Sequence, residues 1–418
     1  MTGKERVLAA VEHREPDRVP VDFGSTGVTG IHVSCVAALR EYFGLERHPV
    51  KVHEPYTLSG WIDDDLKDAL GIDTTGVFPR KTMFGFANEG WKPWSYAGID
   101  VLVPRDFNTT VDENGDTFLY PEGDLAAPPS GRMPRGGFFF DTIVRQKPFD
   151  EDDPRLEDNL EEFGPIAQDD LDHLRREANL AAAERCVVAT FGGMAFGDIA
   201  LVPAPFLKDP KGIRDIAEWY MSIRTRREFI RRIFDRQCDI ALHNLEAIFR
   251  EVGNTPDVVF ICGTDFGTQA SSFCSEKTFR ELYYPYYKRL NDWIHRHTTW
   301  KTFKHSCGSV ERFIPAFIEA GFDILNPVQC SAAHMEAERL KEKFGARLAF
   351  WGGGIDTQKV LPFGTAAEVR EQVLRRCEVF AKCGGFVFNS IHIVQARTPV
   401  ENIVAMFDAV REFNSQGA

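Results

Sequence analysis

Short β-rich runs that alternate with helical stretches constrain this chain more than any other feature of it. Eight runs stand out, at residues 18–24, 74–80, 186–193, 257–262, 300–305, 322–327, 347–352 and 385–389. Each is rich in branched or aromatic residues and is bounded by Gly, Pro, Asn or Asp, the signature of a strand. Helical periodicity fills much of the space between, at residues 4–13, 227–252, 276–297, 310–320, 366–383 and 398–413. Pro399 sits in a first turn, and Gly321, Gly345 and Gly384 each follow a helical run, where such residues start and stop helices. Eight strands alternating with helices predict an α/β fold, a parallel (β/α)8 TIM barrel, as one domain over residues 1–418. Gly352-Gly353-Gly354 lacks the G-x-G-x-x-G spacing of a dinucleotide fold.

The alternation breaks at about residues 81–180. Asn114-Gly115 is a hairpin signal there, and Pro128-Pro129 and Gly136-Gly137 punctuate the chain beyond it. The stretch reads as an insertion after strand two, β-containing at first, then helical from Leu171 to Ala183. Leaving the face where barrel enzymes keep their loops, it is placed to serve as a lid or a dimer contact.

Charge excludes some partners. A net charge of −13 opposes binding to nucleic acid or to an anionic membrane surface. No run is long enough to span a bilayer, and the opening Met1-Thr2-Gly3-Lys4 carries no apolar signal. Nine cysteines, an odd number in a large chain, read as reduced thiols, so a cytoplasmic protein is expected.

In a barrel the chemistry belongs at the strand ends. The fifth run delivers Lys304-His305-Ser306-Cys307-Gly308. Alternation puts His305 and Cys307 on one face, an N,S pair suited to zinc, though a His and a Cys there can also be merely packed. A catalytic zinc takes about three protein ligands. His392, after the eighth run, is the candidate third ligand, with Cys330 in reserve and Cys262 behind it. Asp265, between glycines after the fourth run, is a candidate base or an Asx-turn, and His392 is the second candidate catalytic group. Asn326, Gln329, Asp356 and Gln395 are candidates for substrate contacts or for satisfying loop backbone. The other cysteines read as structural. Phe138, Phe139 and Phe140 suit either an apolar pocket or core packing.

These residues resemble the uroporphyrinogen decarboxylase superfamily, in its cobalamin-dependent methyltransferase branch. The likeness runs through Arg6-Val7-Leu8-Ala9-Ala10, Pro16-Asp17-Arg18-Val19-Pro20, His305-Ser306-Cys307-Gly308, Phe350-Trp351-Gly352-Gly353-Gly354 and Thr398-Pro399-Val400-Glu401-Asn402. It implies a (β/α)8 barrel and a methyltransferase. It further implies zinc on an H-x-C pair and a later Cys, whose place His392 takes here, and a corrinoid carried by a partner protein. The methyl donor would be a small molecule, a methoxylated aromatic undergoing O-demethylation or a methylamine-type compound. Homodimers are also implied. The decarboxylase itself carries an Arg-rich segment near its N-terminus; here that place reads Val21-Asp22-Phe23-Gly24-Ser25-Thr26-Gly27, leaving Arg18, Arg80 and Arg397 as substitutes. A metal-free decarboxylase and a non-catalytic barrel that binds a tetrapyrrole or corrinoid are the alternatives.

Overall fold

A computed structural model describes residues 1–181 and 184–416. Helix α1 (Gly3–Val11) opens on a capping box between Thr2 and Glu5. After it come α2 (Val33–Tyr42), β1 (Val50–Glu54), β2 (Ser59–Gly60), α3 (Asp64–Leu70) and β3 (Thr74–Val77). Six short strands come next: β4 (Lys92–Tyr96), β5 (Ile99–Val103), β6 (Thr109–Val111), β7 (Thr117–Leu119), β8 (Gly131–Met133) and β9 (Asp141–Thr142). After α4 (Gln168–Leu180) strands and helices alternate: β10 (Cys186–Thr190), α5 (Ile216–Thr225), α6 (Arg227–Val252), β11 (Val258–Cys262), α7 (Glu276–Leu282), α8 (Tyr284–His297), β12 (Lys301–His305), α9 (Ile314–Glu319) and β13 (Ile324–Asn326). The chain ends in α10 (Ala337–Phe344), β14 (Ala349–Trp351), α11 (Val360–Phe363), α12 (Ala366–Phe380), β15 (Phe386–Val387) and α13 (Val400–Gln416).

Seven strands make one curled parallel sheet in the order β15-β14-β13-β12-β11-β10-β3, compatible with a TIM-like barrel. The run expected as the first strand, residues 18–24, is only a bridge: Val21 pairs in parallel with Phe388. Pro20 has no N–H to donate, and the Val21 N–H goes to the Asp73 carboxylate at 2.9 Å instead of to a neighbouring strand. Residues 20–22 still touch both edges of the sheet. Asp22 N–H donates to the Phe388 carbonyl and Asp73 N–H to the Val21 carbonyl. Fully buried Asp22 also accepts from Thr74 Oγ1 at 2.6 Å and Trp351 Nε1 at 2.8 Å.

Alternate residues of the sheet face inward. Val188, Val258, Phe303, Ile324, Trp351 and Val387 form a dry cluster there, covered at one end by Val7, Ala10 and Val11 of α1. His305 lies two residues beyond Phe303, so it enters the same interior above that cluster.

A mixed sheet, in which β1 pairs in parallel with β5, and an antiparallel sheet flank this core. In the first, β4 and β5 join β1 and β2, which precede β3 in sequence. The excursion expected at 81–180 therefore shares its sheet with residues 50–60. In the second, β6 to β9 form a meander whose first turn holds Asn114-Gly115, with Gly115 at φ +85°. The helix expected to reach Ala183 is described to Leu180, and residues 182 and 183 lie outside the described residues. The single helix expected over 276–297 breaks at Tyr283, because Pro285 cannot donate a backbone hydrogen bond. The one expected over 310–320 begins as a tighter turn, with Pro315 in the first turn of α9.

Candidate functional site

Strand β12 sorts its last residues by parity. Lys304 turns outward, fully buried, with Nζ donating to the Thr264 carbonyl at 2.7 Å against the rings of Phe266, Tyr287 and Phe317. His305 turns inward and is 3% exposed. Its Nδ1 lies 2.6 Å from Asn326 Oδ1. The Asn326 amide nitrogen donates to the Trp351 carbonyl at 2.7 Å. The amide oxygen therefore faces the ring, Nδ1 carries the proton, and Nε2 keeps a free lone pair.

That lone pair has company. Cys307 Sγ lies 3.3 Å from His305 Nε2. His392, held at φ +68° with its carbonyl taking the Ser390 hydroxyl, brings its ring centroid to 5.4 Å from that of His305. One ligand atom from each of His305, Cys307 and His392 lies within 4.8 Å of the others, the one such group found among the described residues. Two nitrogens and a sulfur suit zinc with one position left open, and the Asn326 contact orients the ring as a metal ligand needs.

Asp265 and Gln329 hold the loop that carries the thiol. The Asp265 carboxylate accepts the Cys307 N–H at 2.6 Å and lies 4.0 Å from His305 Nε2. Gln329 Oε1 accepts the Gly308 N–H at 2.8 Å. Burial pushes both imidazoles down, His305 and His392 each to about 4, so both are neutral and able to ligate near pH 7. Burial, and then the charge of Asp265, pushes the Cys307 thiol well up. It keeps its proton until a bound cation displaces it. Burial also raises Asp265, and burial with the neighbouring Asp265 charge lifts Asp198 to about 6.

A cavity of about 770 Å³ opens onto His305, His392 and Asp265. Tyr56, Phe78, Phe206 and Phe260 give it aromatic walls; Glu54, Asp141 and Asp198 give it carboxylates. A second space of about 450 Å³ adjoins it, sharing Asp198, Leu201 and Phe206.

The remaining sequence candidates fall elsewhere. Asn326 and Gln329 act on the His305–Cys307 segment and do not line the cavity. Asp356 accepts the Gln358 and Lys359 N–H groups, capping a turn. Gln395 is exposed, with its carbonyl taking the Cys35 thiol at 3.3 Å. Cys330 lines a separate cleft with Glu336 and Arg375. Cys262 joins the outer core beside Tyr287, because a bulge between Phe260 and Cys262 flips it out of the interior. Phe140 packs on Phe84 and Phe107, and Phe138 lies under Arg397. Sequence reasoning missed Asp198, Glu54 and Tyr56. Asp198 lies just past the Gly-rich end of the third run, a signal within reach; Glu54 and Tyr56 precede the second run and carry none.

A family model described as uroporphyrinogen decarboxylase (URO-D) matches residues 167–413, more than half of the chain. The chain belongs to the uroporphyrinogen decarboxylase family. That membership supports an enzyme. No curated protein matches the chain. Among solved structures, a methyltransferase from Methanosarcina mazei superposes with a TM-score of 0.55 at 16% identity, covering 99% of each chain. At that identity the likeness is one of fold. Among the described residues no helix is long and apolar enough to cross a membrane.

Proposed function

We propose that this family member moves a methyl group between a small methylated compound and a corrinoid carried by a separate protein, with zinc held by His305, Cys307 and His392. The observation that carries this reading is the convergence of two imidazoles and a thiol beside the aromatic-walled cavity. Zinc, when bound, supplies a Lewis acid that polarises a methyl ether oxygen or lowers the pKa of an acceptor thiol. The protein's own residues supply position and protons. Asn326 fixes the His305 tautomer, and Gln329 and Asp265 fix the loop of Cys307. Asp265, 4.0 Å from His305 Nε2, accepts or relays a proton at the reacting heteroatom. The aromatic walls exclude water from the reacting groups. In the transfer, the bond from the methyl carbon to its heteroatom breaks with the electron pair left on the heteroatom. The acceptor supplies the pair for the new bond. The fold likeness to a methyltransferase supports this reading. We read the curled sheet as a closed (β/α)8 barrel, residues 81–180 as its lid, and the working form as a cytoplasmic homodimer. Nine free cysteines suit a reducing compartment.

Decarboxylation of a polycarboxylate ring fits the cavity less well. Lys81 is the only Lys or Arg among its described lining residues. Arg18 pairs with Asp73, Arg80 with Glu89, and Arg397 reaches the Gly136 carbonyl, so none is free to receive substrate carboxylates in the cavity.

Metal content measured by plasma mass spectrometry tests the reading, wild type beside His305→Ala and His392→Ala. Near-stoichiometric zinc lost from both variants is expected, together with loss of methyl transfer to a corrinoid protein. Metal-free wild type, purified without chelators, would sink the zinc site and favour acid–base chemistry at Asp265.

A further inference from the structure

The cavity beside His305 and His392 combines two properties that a neutral or anionic ligand does not need. Glu54, Asp141, Asp198 and Asp265 line it, against exposed Lys81 as the only Lys or Arg among its described lining residues. Tyr56, Phe78 and Phe206 line it as well. Among these groups Asp198 is the most telling. It is 8% exposed, and its Oδ1 accepts the Ala200 N–H at 3.0 Å. Its Oδ2 has no hydrogen-bond or salt-bridge partner among the described residues, and the residue lines the cavity. Gly263 makes room for that oxygen, since a Cβ there would stand 2.9 Å from Oδ2. That oxygen opens onto the cavity, where a positive group that enters can meet it.

We propose that the cavity takes a small organic cation of the methylated ammonium class, its charge facing Asp198 and its methyl groups against Tyr56, Phe78 and Phe206. A quaternary or tertiary ammonium has the polarity such a site calls for. Its charge spreads over apolar methyl groups, so it loses little hydration on entering an aromatic-walled space. The ring faces attract it through their quadrupoles. Glu54 also lines the cavity; burial raises its pKa, and its oxygens already accept from Tyr56 N–H, Thr57 N–H and Thr57 Oγ1. The raised pKa of Asp198 agrees: burial, and then the charge of Asp265, disfavours its ionised form, which a cation restores. This inference rests on the methyl-transfer reading for the fate of the ligand, not for its binding.

Calorimetric titration of the full-length protein, with its zinc content measured, separates the ligand classes. The probes are choline and tetramethylammonium, the neutral tert-butyl analogue of choline, and a methoxybenzoate anion. The cations should bind about tenfold or more tightly than the neutral analogue. Asp198→Asn should bring choline down to the level of the analogue and leave the analogue's affinity unchanged. In His305→Ala the preference for the cation should persist. Equal or tighter binding of the analogue or the methoxybenzoate overturns the proposal. So does a choline preference unaltered in both Asp198→Asn and Glu54→Gln. Methyl transfer is read separately, so a protein that binds choline without demethylating it keeps this proposal and loses the methyl-transfer one.

Discussion

Asn326 and Asp198 show how single side chains set the state of this site. Asn326 is fully buried between the His305 ring and the Trp351 carbonyl. Asn326→Ala would leave the His305 Nδ1–H without an acceptor and free the ring to turn. Zinc binding should weaken by about 10- to 100-fold, measured by competition with a chromophoric chelator. Unchanged zinc affinity would show that the ring is held by packing alone. Asp198 makes a prediction of stability against pH. Its folded value of about 6 lies above the ordinary carboxylate value of 3.8, so the folded chain binds the proton more tightly than the unfolded one. The stabilisation is full below the unfolded value and is lost as pH rises through about 6. Asp198→Asn should flatten this slope and raise Tm at pH 7, by an upper limit of about 3 kcal/mol in stability. Parallel curves of Tm against pH for variant and wild type would contradict it. The shared face of His305 and Cys307 was legible from strand parity, because alternation is local. The role of Asn326 as its orienting partner was not, because the strand pairing of His305 with Asn326 is set by the sheet.

At the scale of elements, helix ends obey chemistry that the chain spells out locally. Helix α12 starts on a capping box: Thr365 Oγ1 accepts the Glu368 N–H, and the Glu368 carboxylate takes the Thr365 N–H at 2.7 Å. Thr365→Ala should cost about 1 kcal/mol, seen as a lower urea midpoint with an unchanged m-value. An unchanged midpoint would mean that packing of α12 on α13 alone fixes its start. Pro285 and Pro315 explain where the expected continuous helices break or tighten, and both prolines were visible in the sequence. What periodicity could not show was the bulge in β11. It moves Cys262 out of the interior, and a bulge is decided by how neighbouring strands meet. The sharing of one sheet by β1, β2, β4 and β5 escaped for a related reason: strand partners distant in sequence leave no local trace.

For the molecule as a whole, residues 20–22 are the place where the two edges of the curled sheet come together. Asp22 is the polar pin there, accepting from Thr74 and Trp351 with no exposure to solvent. Burial raises its pKa, while those hydrogen bonds oppose the rise. Asp22→Ala would strand two buried donors at once, at a cost of about 2–5 kcal/mol, measured by guanidinium denaturation. A loss below about 0.5 kcal/mol would show that the sheet edges stay joined without this pin.

The sequence by itself determined the α/β alternation, the positions of seven of the eight strands and the shared face of His305 and Cys307, because each arises from local period and local breakers. It also brought forward His305, Cys307 and His392 as residues that could share an ion. Only the tertiary structure decided that these three converge within 4.8 Å while Cys262 and Cys330 stay apart. It also decided that Asp198, Glu54 and Tyr56 face one cavity. Convergence of residues so far apart in sequence depends on the curvature of the sheet and on the path of its loops. Both are fixed by packing and strand register across the whole chain, which no local run of residues encodes.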